Sequence, residues 1–325
     1  MSNISLETLQ EWSKLGHRTS FGESIVLLGR ERKDVVLISA DITPTARLVN
    51  FQKEFPDRFF NTGIAEQNLI GFTAGLAKEG LMPFAVTIAA FVPMRCAEQV
   101  RSSLAYMELN ARVVGIEAGC RFGPLGNTHF AMDDIAVMRA IPNFTVICPA
   151  DAHEIYKTVF AVADYDGPVH IRLTGAPGSP LLYPDDFDFE IGKAIEYRHG
   201  KDIAMIATGS VLWEAICAAE ILEKKGISVR VIDMHTIKPI DTNMLDSVFS
   251  ENKLVVTVEE HSIIGGLGSA VAEYKAGFEK APKQIMCGLR DSFTKIGNYE
   301  FQMKENGLVA EDIAAKAEKG LAELK

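Results

Sequence analysis

Short apolar runs alternate with helically spaced stretches along most of the chain. In the first half the runs are DVVLISAD, ending at Asp41, then RFFNTG, PFAVTIAAF, ARVVGIEAG, FTVICPAD and PVHIRLTG. Each is short enough for a buried strand and is separated from the next by a helical segment. An amphipathic helix that includes Phe21, Ile25, Leu27 and Leu28 precedes them. Strands alternating with helices predict a parallel sheet covered on both faces. Sites on such sheets gather at the carboxyl ends of the strands, where Asp41, Gly63 and Gly119 lie.

From Gly175 to Gly192 the pattern lapses into a proline-rich, acidic stretch without a period, a linker candidate. Alternation then resumes with DIAMIATG, the helix VLWEAICAAEILEKKG, ISVRVIDMH, KLVVTVEEH, a helix from Leu267, and KQIMCGLRD. An amphipathic helix, VAEDIAAKAEKGLAEL, follows. The predicted fold class is α/β, with two doubly wound, mainly parallel-sheet domains. The expected boundaries are 1–180, a linker 181–192, and 193–325.

The stretch Arg58–Gly80 carries the sharpest chemical signal. Thr62 is placed as the N-cap of a helix, which puts Glu66 in its first turn. On spacing alone Glu66 reads as a solvated acid favoured by the helix dipole. Its company, Ile64, Ala65, Leu69, Ile70 and Phe72, argues instead for burial, and Gly71 and Gly75 would let another backbone come close. A carboxyl buried there would have a raised pKa and could share a proton with a ring nitrogen.

Composition narrows the classes. With 325 residues, 47% of them hydrophobic, the chain can build two ordinary cores. The net charge of −10 argues against a nucleic-acid or anionic-membrane surface. No apolar run approaches the roughly 20 residues needed to cross a bilayer, and the start lacks a signal peptide, so the expected location is the cytoplasm. Cys96, Cys120, Cys148, Cys217 and Cys287 are scattered without a CxxC pair and read as reduced thiols.

The segment TGIAEQNLIGFTAGLA resembles the glutamate signature of the transketolase family, and the likeness runs along nearly the whole chain, to the second half of a full-length transketolase. The family depends on thiamine diphosphate. The resemblance implies that Glu66 bonds a pyrimidine nitrogen of the cofactor and favours the imino tautomer that takes the proton from the thiazolium carbon. It places Phe91 on the aminopyrimidine ring, with Ile88 and Met94 at two flanking positions that are aromatic in the family and Ile64 and Asp41 beside the cofactor. By itself Phe91 would read as core packing. His129, by itself a surface residue in a Gly- and Pro-rich loop, matches in GNTH the family histidine that contacts substrate hydroxyls.

At the substrate end Arg18 and Thr45 match positions that hold a sugar phosphate. Glu117, Leu125 and Gly175 replace a histidine, an aspartate and an arginine of the family. Glu117 would repel a phosphate and Gly175 offers no side chain, so Arg172 is a candidate to hold the terminal anion. Asp133 and Asp134 near His129 suggest a metal site, but Asp133 before a helix is more simply an N-cap, and no metal ligand is expected on this chain. The glycine cluster in EEHSIIGGLGSAVAEY is read as structural.

The family's magnesium and diphosphate pattern, GDG followed by Asn after about 25 to 30 residues, is missing from the sequence. The resemblance therefore implies a partner, an N-terminal transketolase subunit that ligates Mg2+ and the diphosphate, in a heterotetramer of two long and two short chains. The implied activity is ketol transfer from an anionic ketose to an aldehyde. The alternatives are a 2-oxoacid dehydrogenase beta subunit, a deoxyxylulose phosphate synthase-like half, and a non-catalytic scaffold.

Overall fold

The computed structural model describes residues 4–324. Seven strands form the first sheet: β1 (Val35–Ser39), β2 (Phe59–Asn61), β3 (Met82–Ile88), β4 (Arg112–Ile116), β5 (Thr145–Ile147), β6 (Val169–Arg172) and, from far along the chain, β10 (Thr236–Lys238). Their order is β10-β5-β6-β4-β3-β1-β2, and every pairing except that of β10 is parallel. The second sheet holds β7 (Ile195–Arg198), β8 (Ile203–Thr208), β9 (Val229–Asp233), β11 (Leu254–Ser262) and β12 (Lys283–Leu289) in the order β12-β11-β8-β9-β7, parallel except for β7. The protein is thus α/β, with two mainly parallel sheets.

The apolar runs without a period in the sequence are explained by burial on both faces. Val35 and Leu37 point into one core, against the helices His17–Glu31 and Ala152–Ala163, while Val36 and Ile38 enter another beneath the helix Glu66–Lys78. In the second sheet Ile203 and Met205 face one core, and Ala204 and Ile206 the other. Among the described residues no helix is long and apolar enough to cross a membrane.

Several elements differ from the pattern. The opening helix is two helices, Leu6–Leu15 and His17–Glu31, hinged at Gly16 with φ 89°. β10 hides in a short run ended by Pro239, and returns from the second half to cap the first sheet. The helices Thr242–Glu251 and Tyr299–Glu305 were not anticipated. Residues 173–194 carry no helix or strand, yet Tyr183 is buried and its ring stacks on Phe187 at 4.4 Å.

Buried acids gather where the two halves meet. Glu260 accepts the Cys120 N–H at 2.8 Å and the Tyr299 hydroxyl at 2.7 Å, while Glu259 accepts N–H groups of Leu267 and Gly268 at the head of its own glycine turn. Gly119 (φ 68°) has to be glycine, since a Cβ there would lie 2.2 Å from the Glu260 carboxylate. Burial pushes Asp233, Glu259 and Glu260 each up to about 7. It drives His17 down to about 3 and His170, His235 and His261 to about 4.

The two sets oppose each other. The carboxyls contribute stability that is present below roughly pH 4 and is lost as the pH rises through about 7, because the folded state holds the extra protons. The histidines contribute stability that is present above roughly pH 6.5 and is lost as the pH falls toward 4. Glu260→Gln mimics the protonated acid, so it is expected to melt with the wild type at pH 5 and above it at pH 8. The same melting-temperature difference at both pH values would refute a protonated Glu260.

Candidate active site

Glu66 stands at the first position of the helix Glu66–Lys78 and is only 6% exposed. The predicted cap is not used. Ala65 occupies the N-cap position without a side-chain bond, and the Thr62 hydroxyl donates to the Ser39 carbonyl at 3.3 Å. Gly71 and Gly75 lie on the outer face of this helix with nothing of this chain near them, so the close backbone approach is not made within the chain.

Phe91 opens a short helical turn, Phe91–Arg95, just past β3. Arg95, which the sequence reading missed, is four residues on, and that spacing returns it to the same side of the turn. Its guanidinium lies over the Phe91 ring, 3.6 Å from the centroid, and donates to the Glu66 carboxylate at 2.9 Å. Ala65, Glu66, Gln67, Asn68 and Arg95 line an open groove of about 460 Å³. Next to it in the chain, Ile64 is 77% and Met94 60% exposed. Ile88 instead packs beside Phe91 against Ala89, Ala90, Ala118 and Ala131. Asp41 (φ 60°) ends the β1 turn, its N–H donating to Asn61 Oδ1 at 3.1 Å.

His129 meets Phe91 edge to face, with centroids 5.5 Å apart, and Phe122 likewise at 6.1 Å. Phe122, in the same loop, is a ring contact that spacing alone did not single out. The Thr128 hydroxyl lies 2.9 Å from His129 Nδ1. Leu125, in the adjoining turn, is exposed.

Arg18 and Glu117 are brought together as an ion pair, Nε to Oε1 at 2.6 Å, and Arg18 also donates to the Thr45 carbonyl at 3.0 Å. Thr45 therefore takes part through its backbone. Arg121, also missed, points its Nε at Glu117 Oε2 from 3.7 Å.

One expectation is overturned and another is met in position only. Arg172 is buried in an ion pair with Asp134 at 2.7 Å and donates to the carbonyls of Ala131 and Glu260, so it cannot reach a substrate. Asp133 stands at the N-cap position of the helix Asp134–Ala140 but makes no capping bond. It is Asp134 that is engaged, and among the described residues no three His, Cys, Asp or Glu side chains converge on a metal site.

Two family matches divide the chain: the transketolase pyrimidine binding domain over residues 13–176, and the transketolase C-terminal domain over residues 192–313. The chain is 37% identical over 300 residues to one subunit of an apulose-4-phosphate transketolase from Phocaeicola vulgatus, covering 92% of this chain and 96% of the relative. It is 37% identical over 295 residues to a 6-deoxy-6-sulfo-D-fructose transketolase subunit of a Clostridium species, covering 90% and 91%. Among solved structures it is similar to a split-gene transketolase described as an inactive β4 tetramer, with a TM-score of 0.86, 39% identity, and 95% and 98% of the two chains covered.

Proposed function

The chain belongs to the transketolase family, and from that premise we propose that it is the C-terminal subunit of a two-subunit, thiamine diphosphate-dependent transketolase. It would move a two-carbon ketol unit from a ketose with an anionic end to an aldehyde acceptor. Residues 1–180 form the pyrimidine-binding unit, 181–192 the linker and 193–325 the C-terminal unit. One observation carries the reading: a buried carboxylate, Glu66, opens onto a groove beside Arg95, whose guanidinium lies over the aromatic face of Phe91.

The residues present fit the pyrimidine end of the cofactor. The planar, N–H-bearing guanidinium of Arg95 makes the two contacts an aminopyrimidine needs, a stack on Phe91 and a hydrogen bond to Glu66. When bound, thiamine diphosphate supplies the carbon nucleophile of ketol transfer. Glu66 would hold a proton at a ring nitrogen, Phe91 and Ile88 would fix the ring, and Ile64, Asp41 and Met94 would border it. His129 would exchange protons with substrate hydroxyls, and Arg18, Thr45, Glu117 and Leu125 would border the substrate.

Magnesium and the diphosphate fall to an N-terminal partner, which would cover Ile64 and Met94 at a shared seam. Two copies of each chain would form a heterotetramer. A relative solved as an inactive tetramer of one chain type supports the reading that this half is silent alone. Such a partner, mixed with this chain, is expected to give ketol transfer that saturates with thiamine diphosphate, with neither chain active alone. Decarboxylation of a 2-oxoacid without ketol transfer would favour a dehydrogenase subunit. No gain in cofactor affinity on mixing would favour a scaffold.

A further inference from the structure

We propose that Asn127 is a positioning residue, pinned to the loop 290–298 of the second half, and that this contact holds the His129 imidazole in place for substrate. The inference rests on the transketolase reading above. It gives the C-terminal unit a part in the reaction, although the groove beside Glu66 is built from the first half alone.

His129 sits in the stretch 119–131, which follows β4 and is closed at its base where Gly119 and Ala131 exchange hydrogen bonds of 3.1 and 2.9 Å. Between those ends the chain is entropically costly to order. Gly119 (φ 68°) and Gly126 (φ 73°) are left-handed, and glycine loses more backbone freedom on folding than any other residue. A histidine that exchanges protons with substrate has to be fixed closely all the same, since a displacement of about 1 Å can cost roughly 100-fold in rate.

The second half supplies what fixes it. Asn127 Nδ2 donates to the Thr294 carbonyl at 2.9 Å, and the Thr294 N–H donates to Asn127 Oδ1 at 3.2 Å. One side-chain amide thus pairs with a backbone unit 167 residues away. Thr294 enters this pair through its backbone, so the chemical requirement falls on position 127. Asparagine carries donor and acceptor on one planar group, where aspartate lacks the donor.

Contact continues along the stretch. A Cβ on Gly123 would lie 2.1 Å from the Gly297 carbonyl oxygen, and one on Gly126 3.0 Å from the Ile296 side chain. Nearer the base, Cys120 donates to Glu260, which also accepts the Tyr299 hydroxyl, and Arg121 lies over the Tyr299 ring, 5.4 Å from its centroid. The loop 290–298 is itself held. The Thr294 hydroxyl donates to Oε1 of the fully buried Gln302 at 2.7 Å, and Asn298 caps the helix Tyr299–Glu305 by accepting the Phe301 N–H at 2.8 Å. From Asn127 to the imidazole is a short step. The His129 N–H closes a turn onto the Gly126 carbonyl at 2.9 Å, and its ring then meets Phe91 and Phe122.

The test is a double-mutant cycle in the reconstituted pair. Asn127→Ala is expected to lower kcat/KM for ketol transfer roughly 10- to 100-fold. In a His129→Ala background the same change is expected to alter kcat/KM by no more than about two-fold, because the group it positions is gone. Equal losses in both backgrounds, or no loss in the first, overturn the proposal. Gly123→Ala keeps Asn127 but wedges a methyl group against the Gly297 carbonyl, and it is expected to give the same pattern. Its full loss persisting in the His129→Ala background would count against the proposal in the same way.

Positioning is read without turnover by NMR of the full chain. The imidazole signal that His129→Ala removes is expected to shift or broaden in Asn127→Ala, while the other histidine signals stay. An unmoved His129 signal overturns the proposal. Should it move while the wild-type pair transfers no ketol group, the transketolase reading fails and the pinned loop stands.

Discussion

Glu66→Gln in the reconstituted pair is expected to lower kcat by roughly 10²- to 10⁴-fold, the range typical of a positioned proton donor or acceptor, and Glu66→Ala by at least as much. Glutamine keeps the shape and one hydrogen bond but cannot hold the proton. Folding should be nearly indifferent. Glu66 has Arg95 as its ion-pair partner, and Arg95 is half exposed, so water takes up its charge when the acid is gone. The remaining loss is the favourable place of an acid at a helix N-terminus, roughly 0.3–1 kcal/mol. Melting temperature and cofactor-free assembly should therefore hardly move while turnover collapses. Turnover within a few-fold of the wild type in Glu66→Gln would remove this residue from the mechanism.

Why Glu66 was legible in the sequence and Arg95 was not is a matter of physical signal. A strand, a turn and a helix that starts on an acid among apolar neighbours are all local features, readable from spacing. Doubly buried strands such as Val35–Ser39 announce themselves in the same way, as short apolar runs. Arg95 gave no such signal, because an arginine after Met94 reads as a solvated end until the turn Phe91–Arg95 folds it back over the ring. The partners of Glu117 were hidden for a different reason. Arg18 comes to it from a helix about a hundred residues earlier, and Arg121 from a loop, so only the folded chain brings the three together past the carboxyl end of β4. Likewise β10 is a three-residue strand whose place in the first sheet depends entirely on its partner β5.

The misreading of Arg172 leads to the second large effect, one on stability. Asp134 and Arg172 are both fully buried, joined at 2.7 Å, and the same guanidinium donates at 2.9 Å to the Glu260 carbonyl on β11, so one side chain ties the first sheet to the second. Removing one partner leaves a buried charge without its ion-pair partner, at a cost of roughly 3–5 kcal/mol. Asp134→Ala is therefore expected to lower the melting temperature by roughly 6–20 °C, taking about 2–4 °C per kcal/mol for a chain of this size. Replacing both, as Asp134→Leu with Arg172→Met, removes the stranded charge and is expected to recover most of that loss. A buried pair between apolar neighbours is often worth no more than a well-packed hydrophobic pair. What the double variant should not recover is the bond to Glu260, so its two halves are expected to unfold over a wider temperature range than in the wild type. If Asp134→Ala instead melted within about 2 °C of the wild type, corresponding to roughly 1 kcal/mol or less, the pair would not be the tie between the sheets.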